Sequence, residues 1–241
     1  MEQGQLKNLN TTGIAKSAGG AYDRIRTDGI ATINGDTSCS SLTVNGQLKV
    51  EGSLQGGELH FNGKSSIAGG LRAERLEIDG MLKIGGDMHV VNIGTRGMLK
   101  SEGNASGENI SSAGDWRVAG NAEFEKVELH GGFHIGGMLN AGTIKIGMAG
   151  PCNAKEIGGG TIEVRRRTSA RKLLSFLAPG LTPRLTASLI EGDEIILEDT
   201  KADIVRGNIV VIGSGCEIGR VEYKERLDRD PESQIGVVEQ V

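Results

Sequence analysis

The sequence predicts an all-β fold: a right-handed parallel β-helix, triangular in section, with about 17 residues per turn. Two observations support this prediction. Glycine recurs in two columns at that same period, and apolar residues fall in pairs separated by one residue. The composition agrees, because the 241 residues include 39 glycines and only 3% aromatic residues, less aromatic volume than a layered globular core uses.

The two glycine columns alternate along the chain and leave none of their positions unfilled. The first column is at 29, 46, 63, 80, 97, 114 and 131, and the second is at 35, 52, 69, 86, 103, 120 and 137. Glycine suits a corner where the backbone bends tightly or where successive turns approach closely. The columns therefore predict two of the three corners, and a polar third corner is expected at pairs such as Ser40–Ser41.

Three apolar pairs per turn predict three short strands that point alternate side chains inward. One example of each pair is Leu48/Val50, Leu71/Ala73 and Leu42/Val44. A left-handed hexapeptide solenoid is the competing architecture, but it would place aliphatic residues at every sixth position. The spacing of the pairs in this chain is not uniform in that way, which favours the right-handed form.

The repeat divides the chain into five parts. We expect a flexible N-terminus, the main β-helix, a basic and apolar insertion, two further turns of the same length, and a flexible acidic tail. These parts span residues 1–12, 13–164, 165–189, 190–226 and 227–241.

Composition and motifs argue against most other classes of function. The net charge is −4 with both signs mixed, so we expect no nucleic-acid partner. The N-terminus has no apolar signal segment and no stretch is long enough to span a membrane, which predicts a cytoplasmic protein. The three cysteines are far apart and fit packing roles, and the four histidines are scattered. We therefore predict no catalytic residues, no metal site and no cofactor, and hence no enzyme.

Four short motifs resemble those of the bactofilins, bacterial cytoskeletal proteins. The motifs are Ile33-Asn34-Gly35-Asp36, Val44-Asn45-Gly46, Phe61-Asn62-Gly63 and Ile78-Asp79-Gly80. The resemblance covers residues 13–164 and, more loosely, 190–223. It implies a right-handed triangular β-helix that polymerises into filaments without nucleotide, near the membrane, in support of cell shape, wall synthesis or motility. The insertion and the polar N-terminus depart from the family pattern.

We therefore expect a homopolymer whose end turns make the contacts, with the membrane surface or envelope proteins as further partners. The candidate polymer contacts are Ile14, Tyr22 and Ile25 at one end and Val210, Ile212 and Ile218 at the other. The candidate membrane contacts lie in the insertion: Arg171, Lys172, Leu173, Leu174, Phe176 and Leu177. Two alternatives stay open, a non-polymerising β-helical binding module and a carbohydrate-acting β-helix enzyme.

Overall fold

The computed structural model describes residues 6–166 and 183–241, in two compact units, Met1–Glu108 and Asn109–Val241. The described residues form parallel β-strands and contain no helix. They make about 11 coils of about 17 residues each, and the coils within a unit stack on one another. The predicted β-solenoid is therefore confirmed, whereas the hand of the coil stays a prediction.

Seven strands are described in the first unit. They are β1 (Lys7–Val50), β2 (Leu54–Ile67), β3 (Leu71–Ile78), β4 (Met81–Ile84), β5 (Met88–Thr95), β6 (Met98–Ser101) and β7 (Ala105–Ser106). Strand pairs join residues that are one turn apart in the chain; for example, Leu42 pairs with Leu59, and Leu59 pairs with Leu76. All three leucines are fully buried. In the pair Leu48/Val50, Val50 is fully buried and Leu48 is 2% exposed. The predicted inward pairs are confirmed.

Close stacking of backbone explains the first glycine column. A Cβ atom on Gly46 would overlap the carbonyl oxygen of Gly29, and a Cβ atom on Gly63 would overlap that of Gly46. The same overlap would arise between Gly97 and Gly80. Only glycine lets neighbouring coils approach this closely at the corner.

The second corner carries a ladder of side-chain oxygens that bind the backbone of the following coil. The Ser53 N–H donates to Asp36 Oδ1 (2.7 Å), and the Gly70 N–H donates to Ser53 Oγ (3.3 Å). The Asn104 N–H donates to Asp87 Oδ1 (2.7 Å). These bonds satisfy N–H groups that the corner would otherwise leave without a strand partner.

Nine strands are described in the second unit. They are β8 (Asn109–Ser112), β9 (Asp115–Val118), β10 (Ala122–Leu129), β11 (Gly132–Met148), β12 (Cys152–Arg166), β13 (Leu185–Leu197), β14 (Thr200–Ile212), β15 (Glu217–Arg229) and β16 (Gln234–Gln240). Val127 pairs with Ile144, which is the offset that the repeat predicts. Leu185, however, pairs with Thr200, so this coil is two residues shorter than the repeat. The prediction of two full-length turns over 190–226 is wrong here, because β13 and β14 keep this shorter offset along their whole pairing.

Three predicted boundaries are also corrected. Strand β1 begins at Lys7, inside the stretch 1–12 that was expected to be flexible. Strand β12 runs to Arg166 and β13 begins at Leu185, so strands occupy both ends of the stretch 165–189 that was expected to be an insertion. The stretch 227–241 is not a flexible tail, because β15 continues to Arg229 and β16 forms a further parallel strand.

Candidate functional site

The C-terminal coil of the second unit is the candidate functional site. Strand β16 pairs with β15 through Ile218–Ile235 and Val221–Val238, and the Val241 N–H donates to the Tyr223 carbonyl oxygen (2.9 Å). Among the described residues, β16 has no strand on its other side. This edge therefore presents backbone donors and acceptors that another strand could pair with.

The inward column of this coil ends on an exposed valine. Val205, Val221 and Val238 follow one another in the register of β14, β15 and β16. Val205 and Val221 are fully buried, whereas Val238 is 42% exposed. Likewise Ile218 is buried and its partner Ile235 is only half-buried. The apolar core of the unit thus reaches the solvent at this end.

A tight turn and an ion-pair ladder hold the terminal coil in place. In the turn between β15 and β16, the Glu232 N–H donates to Asp230 Oδ1 (2.8 Å) and the Ser233 hydroxyl to the Asp230 carbonyl oxygen (2.6 Å). On the outer surface, Arg220 lies between Glu222 (3.8 Å) and Glu239 (3.3 Å). The terminal coil is therefore an ordered continuation of the solenoid rather than a loose tail.

A second ladder stands one coil earlier. Arg206 contacts Glu191 (3.1 Å) and Glu222 (2.6 Å), which come from the coils on either side of it. The hydrogen bond that Arg206 donates to Glu222, followed by the charge of that carboxylate, raises the pKa of the Arg206 guanidinium above its ordinary value. Charged side chains on the outer surface of these last coils are thus paired with one another, while no described residue covers the end of the apolar core.

The first coil of the first unit offers a second surface, of mixed character. Gly13 lies against Gly29, so residues 7–20 form a coil that precedes the coil of Ile25. Thr11 is buried in this coil, and Ala15 and Ser17 are half-buried. These three side chains are small or polar, but Leu9 is half-buried and Leu6 is 50% exposed, so this end of the first unit also has apolar surface to bury.

The structure contradicts most of the predicted polymer contacts. Ile25 is buried because residues 7–20 form a coil in front of it, and Val210, Ile212 and Ile218 are buried because β15 and β16 continue the second unit. Ile14 is 82% exposed and follows Gly13 as Ile30 follows Gly29, which places it on the outer surface of the coil. Tyr22 is half-buried, and its hydroxyl donates to the Ala18 carbonyl oxygen (2.7 Å).

The exposed valines of the terminal coil escaped the sequence-based prediction. Val237, Val238 and Val241 lie in a stretch whose charged composition indicates disorder, and this outweighed a weak apolar alternation. The signal that could have found them is the one-turn spacing of Ile218–Ile235 and Val221–Val238.

The six predicted membrane contacts lie outside the described residues. Their list is Arg171, Lys172, Leu173, Leu174, Phe176 and Leu177. The ends of the described chain on either side are held by ion pairs: Arg166 contacts Asp199, and Arg184 lies 2.9 Å from Glu217. No helix in 6–166 or 183–241 has the length and apolar character needed to cross a membrane.

A groove of about 670 Å³ lies on the first unit, along the corner that carries the ladder of side-chain oxygens. Its polar residues include Asp36, Ser53, Asp87 and His89. Asp36, Ser53 and Asp87 already accept backbone hydrogen bonds from the next coil, and His89 Nδ1 lies 2.9 Å from Ser106 Oγ. In the described part of the chain, no three His, Cys, Asp or Glu side chains cluster as a metal site would require.

Comparison with known proteins identifies relatives. No family model and no solved structure matches the chain. It is 45% identical over 102 residues to the uncharacterized protein YhbF of Bacillus subtilis (strain 168), a match that spans 41% of this chain and 40% of YhbF. It is 58% identical over 231 residues to the uncharacterized protein YhbE of the same strain, across 95% of this chain and 96% of YhbE. Because this second match spans nearly the whole of both proteins, the chain belongs to the YhbE family.

Proposed function

We propose that this protein is a structural scaffold that self-assembles end to end, without nucleotide or metal, through its C-terminal coil. The observation that carries the proposal is the 42% exposure of Val238, a residue in the inward column of the second unit. An apolar column that ends at the solvent gains free energy when another copy covers it.

The unpaired edge of β16 determines where on the second unit this contact forms. A strand edge with free N–H and C=O groups pairs readily with another strand, and the apolar side chains beside it favour removal from water. Two copies that meet through the same coil make a self-complementary contact with two-fold symmetry. Growth beyond a dimer then needs a second contact, and the first coil of the first unit, with Leu6 and Leu9, is the candidate for it.

The resemblance to bactofilins supports the same role. It favours a cytoplasmic scaffold close to the membrane, in which the repeat itself is the working part and no reaction is catalysed. The partners are then further copies of the chain and, beyond them, the membrane surface or envelope proteins. The inserted residues 167–182 remain a candidate membrane contact within this proposal.

The test is the assembly state of the purified full chain in buffer without nucleotide or divalent metal. We expect filaments or sheets in negative-stain electron microscopy, and a sedimenting fraction that grows above a threshold concentration. Particles that stay monomeric across a wide concentration range would overturn the proposal and favour the binding module. A dimer that never grows would keep the contact at β16 but overturn the filament.

A further inference from the structure

One outer face of the first unit combines lysines with exposed apolar side chains. In each coil it consists of two outward side chains, those of the first and the third residue after the glycine of the first column. Register aligns Lys64 with Met81 and Met81 with Met98 in one row, and Lys83 with Lys100 in the other. We call this surface the basic face. Its members with charged or large apolar side chains are Ile14, Lys16, Ile30, Lys49, Lys64, Met81, Lys83, Met98 and Lys100.

No acidic residue occupies either row of the basic face between residues 14 and 100. Acids stand at the corners on both sides of the face and are already paired. Glu51 binds Lys49 and Glu102 binds Lys100, each at 2.6 Å, and on the other side Asp79 binds Arg96. Lys64 and Lys83 form no ion pair with any residue in the described ranges, and both are exposed. The face therefore carries positive charge that the rest of the described chain does not neutralise.

Apolar side chains are exposed on the same face. Ile14 is 82% exposed and Ile30 is 44% exposed, although each sits on a well-formed coil. Met81 and Met98 are half-buried further along the same row. Gly13 lies against Gly29, so Ile14 and Ile30 follow one another on neighbouring coils.

The other outer surfaces of the first unit have a different character. Several acidic and basic side chains pair with one another there, as Arg75 does with Glu77 and Arg96 does with Asp79. The hydrogen bonds from Arg96 lower the pKa of Asp79, which keeps that pair charged and mutually satisfied. Unpaired positive charge beside exposed apolar groups is thus a property of the basic face.

We propose that the basic face binds the surface of an anionic lipid bilayer. Lysines beside exposed apolar side chains suit the boundary between headgroups and acyl chains, because the ammonium groups reach the phosphates while the apolar groups enter the boundary. Coils about 4.8 Å apart spread the lysines over roughly 24 Å of a flat β-surface. The face runs along the stacking direction, so a bound unit keeps the ends of its coils free.

The experiment is flotation of the full chain with vesicles of phosphatidylcholine, with or without phosphatidylglycerol. We expect binding only to the vesicles that contain phosphatidylglycerol, with a loss at high salt because exposed charges are screened. The double substitution Lys64→Glu with Lys83→Glu should reduce the partition coefficient at least about tenfold. The matched control is Lys145→Glu with Lys155→Glu, two exposed lysines of the second unit that form no ion pair in the described residues.

A second pair of substitutions tests the apolar part. Ile14→Ser with Ile30→Ser should leave the thermal melt unchanged, because both side chains are exposed, and should remove the binding that survives high salt. Sedimentation of each variant without lipid measures assembly separately. Loss of lipid binding can therefore be distinguished from loss of assembly.

Three outcomes would overturn the proposal. The first is wild-type protein that does not float with phosphatidylglycerol vesicles. The second is an equal loss in the Lys145 and Lys155 control, which would make net charge the cause. The third is binding that survives Lys64→Glu with Lys83→Glu but disappears in Leu174→Ser with Phe176→Ser, which would place the membrane contact in the inserted residues.

Discussion

Val238 continues the inward column of Val221, yet its exposed fraction is 42% where that of Val221 is 0%. Val237, its neighbour in the chain, is exposed to the same degree but points outward. We predict that Val238→Asp raises the critical concentration for assembly at least about tenfold, because the contact would bury an unpaired charge. Sedimentation and negative-stain electron microscopy measure the effect.

The control for that prediction is Val237→Asp, which adds the same charge one residue away. Val237 pairs in register with Arg220 on the outer surface, so the new carboxylate stays in solvent and assembly should persist. Equal loss of assembly in both variants would argue against a contact through the inward column. Circular dichroism should show an unchanged β-sheet signal for each.

Gly63→Ala is expected to lower the free energy of unfolding by about 3 kcal/mol, because the new methyl group overlaps the carbonyl oxygen of Gly46. Gly150→Ala is the matched control, since its Cβ would meet only Gly132, whose Cα lies at 3.7 Å, and a change within about 0.5 kcal/mol is expected. Urea denaturation of the full chain compares the two. Similar midpoints for both variants would show that the corner can relax and that close stacking does not select glycine.

Ser65→Ala is expected to stabilise the protein by about 1 kcal/mol, because the Ser65 hydroxyl is buried and has no hydrogen-bond partner among the described residues. Its register partners Leu48 and Leu82 are apolar. Ser101→Ala should act in the opposite direction by a similar amount, because the Ser101 hydroxyl donates to the Gly86 carbonyl oxygen (2.9 Å). Thermal melts measure the stability of both variants. A loss of stability in Ser65→Ala would mean that the Ser65 hydroxyl of the wild-type protein has a partner such as a bound water.

The three thiols should resist labelling in the native protein. Burial raises the pKa of Cys39 to about 11, of Cys152 to about 12 and of Cys216 to about 11. Because the raised pKa disfavours the thiolate, roughly one Cys39 thiol in a thousand or fewer is ionised at pH 8, and reaction should accelerate only as the pH approaches the raised pKa or the chain unfolds. We expect no reaction with Ellman's reagent at pH 8, and three equivalents in denaturant.

The labelling also reports on the terminal coil. The Gln234 N–H donates to the Cys216 carbonyl oxygen (2.9 Å), so separation of β16 would expose Cys216 before the other two thiols. Rapid labelling of Cys152 in the folded protein would contradict the assigned burial.

The periodic part of the fold could be predicted because close stacking demands glycine and an inward position demands an apolar side chain. Both demands recur at every coil, so the columns of Gly46 and of Leu42 can be read from sequence alone. The shortened coil between Leu185 and Thr200 could not be predicted from the sequence, because a corner can lose residues without any change in the pattern of the strands. In the sequence, the shortening is visible only as the reduced spacing between Gly192 and Gly207, which pair on neighbouring coils.

The candidate site was harder to predict for a physical reason. Charged side chains dominate 220–232, and such composition is typical of disorder when the charges are solvated singly. Here they pair between coils, as Arg220 does with Glu239, and the pairs depend on a strand register that composition does not reveal.

The corner ladder has a polarity with a consequence for biosynthesis. Asp36, Ser53 and Asp87 each accept a hydrogen bond from a backbone N–H that follows later in the chain. A completed coil therefore displays ready acceptors for residues that have yet to leave the ribosome. The solenoid can therefore fold in the order in which it is translated, because each coil provides hydrogen-bond acceptors for the next one.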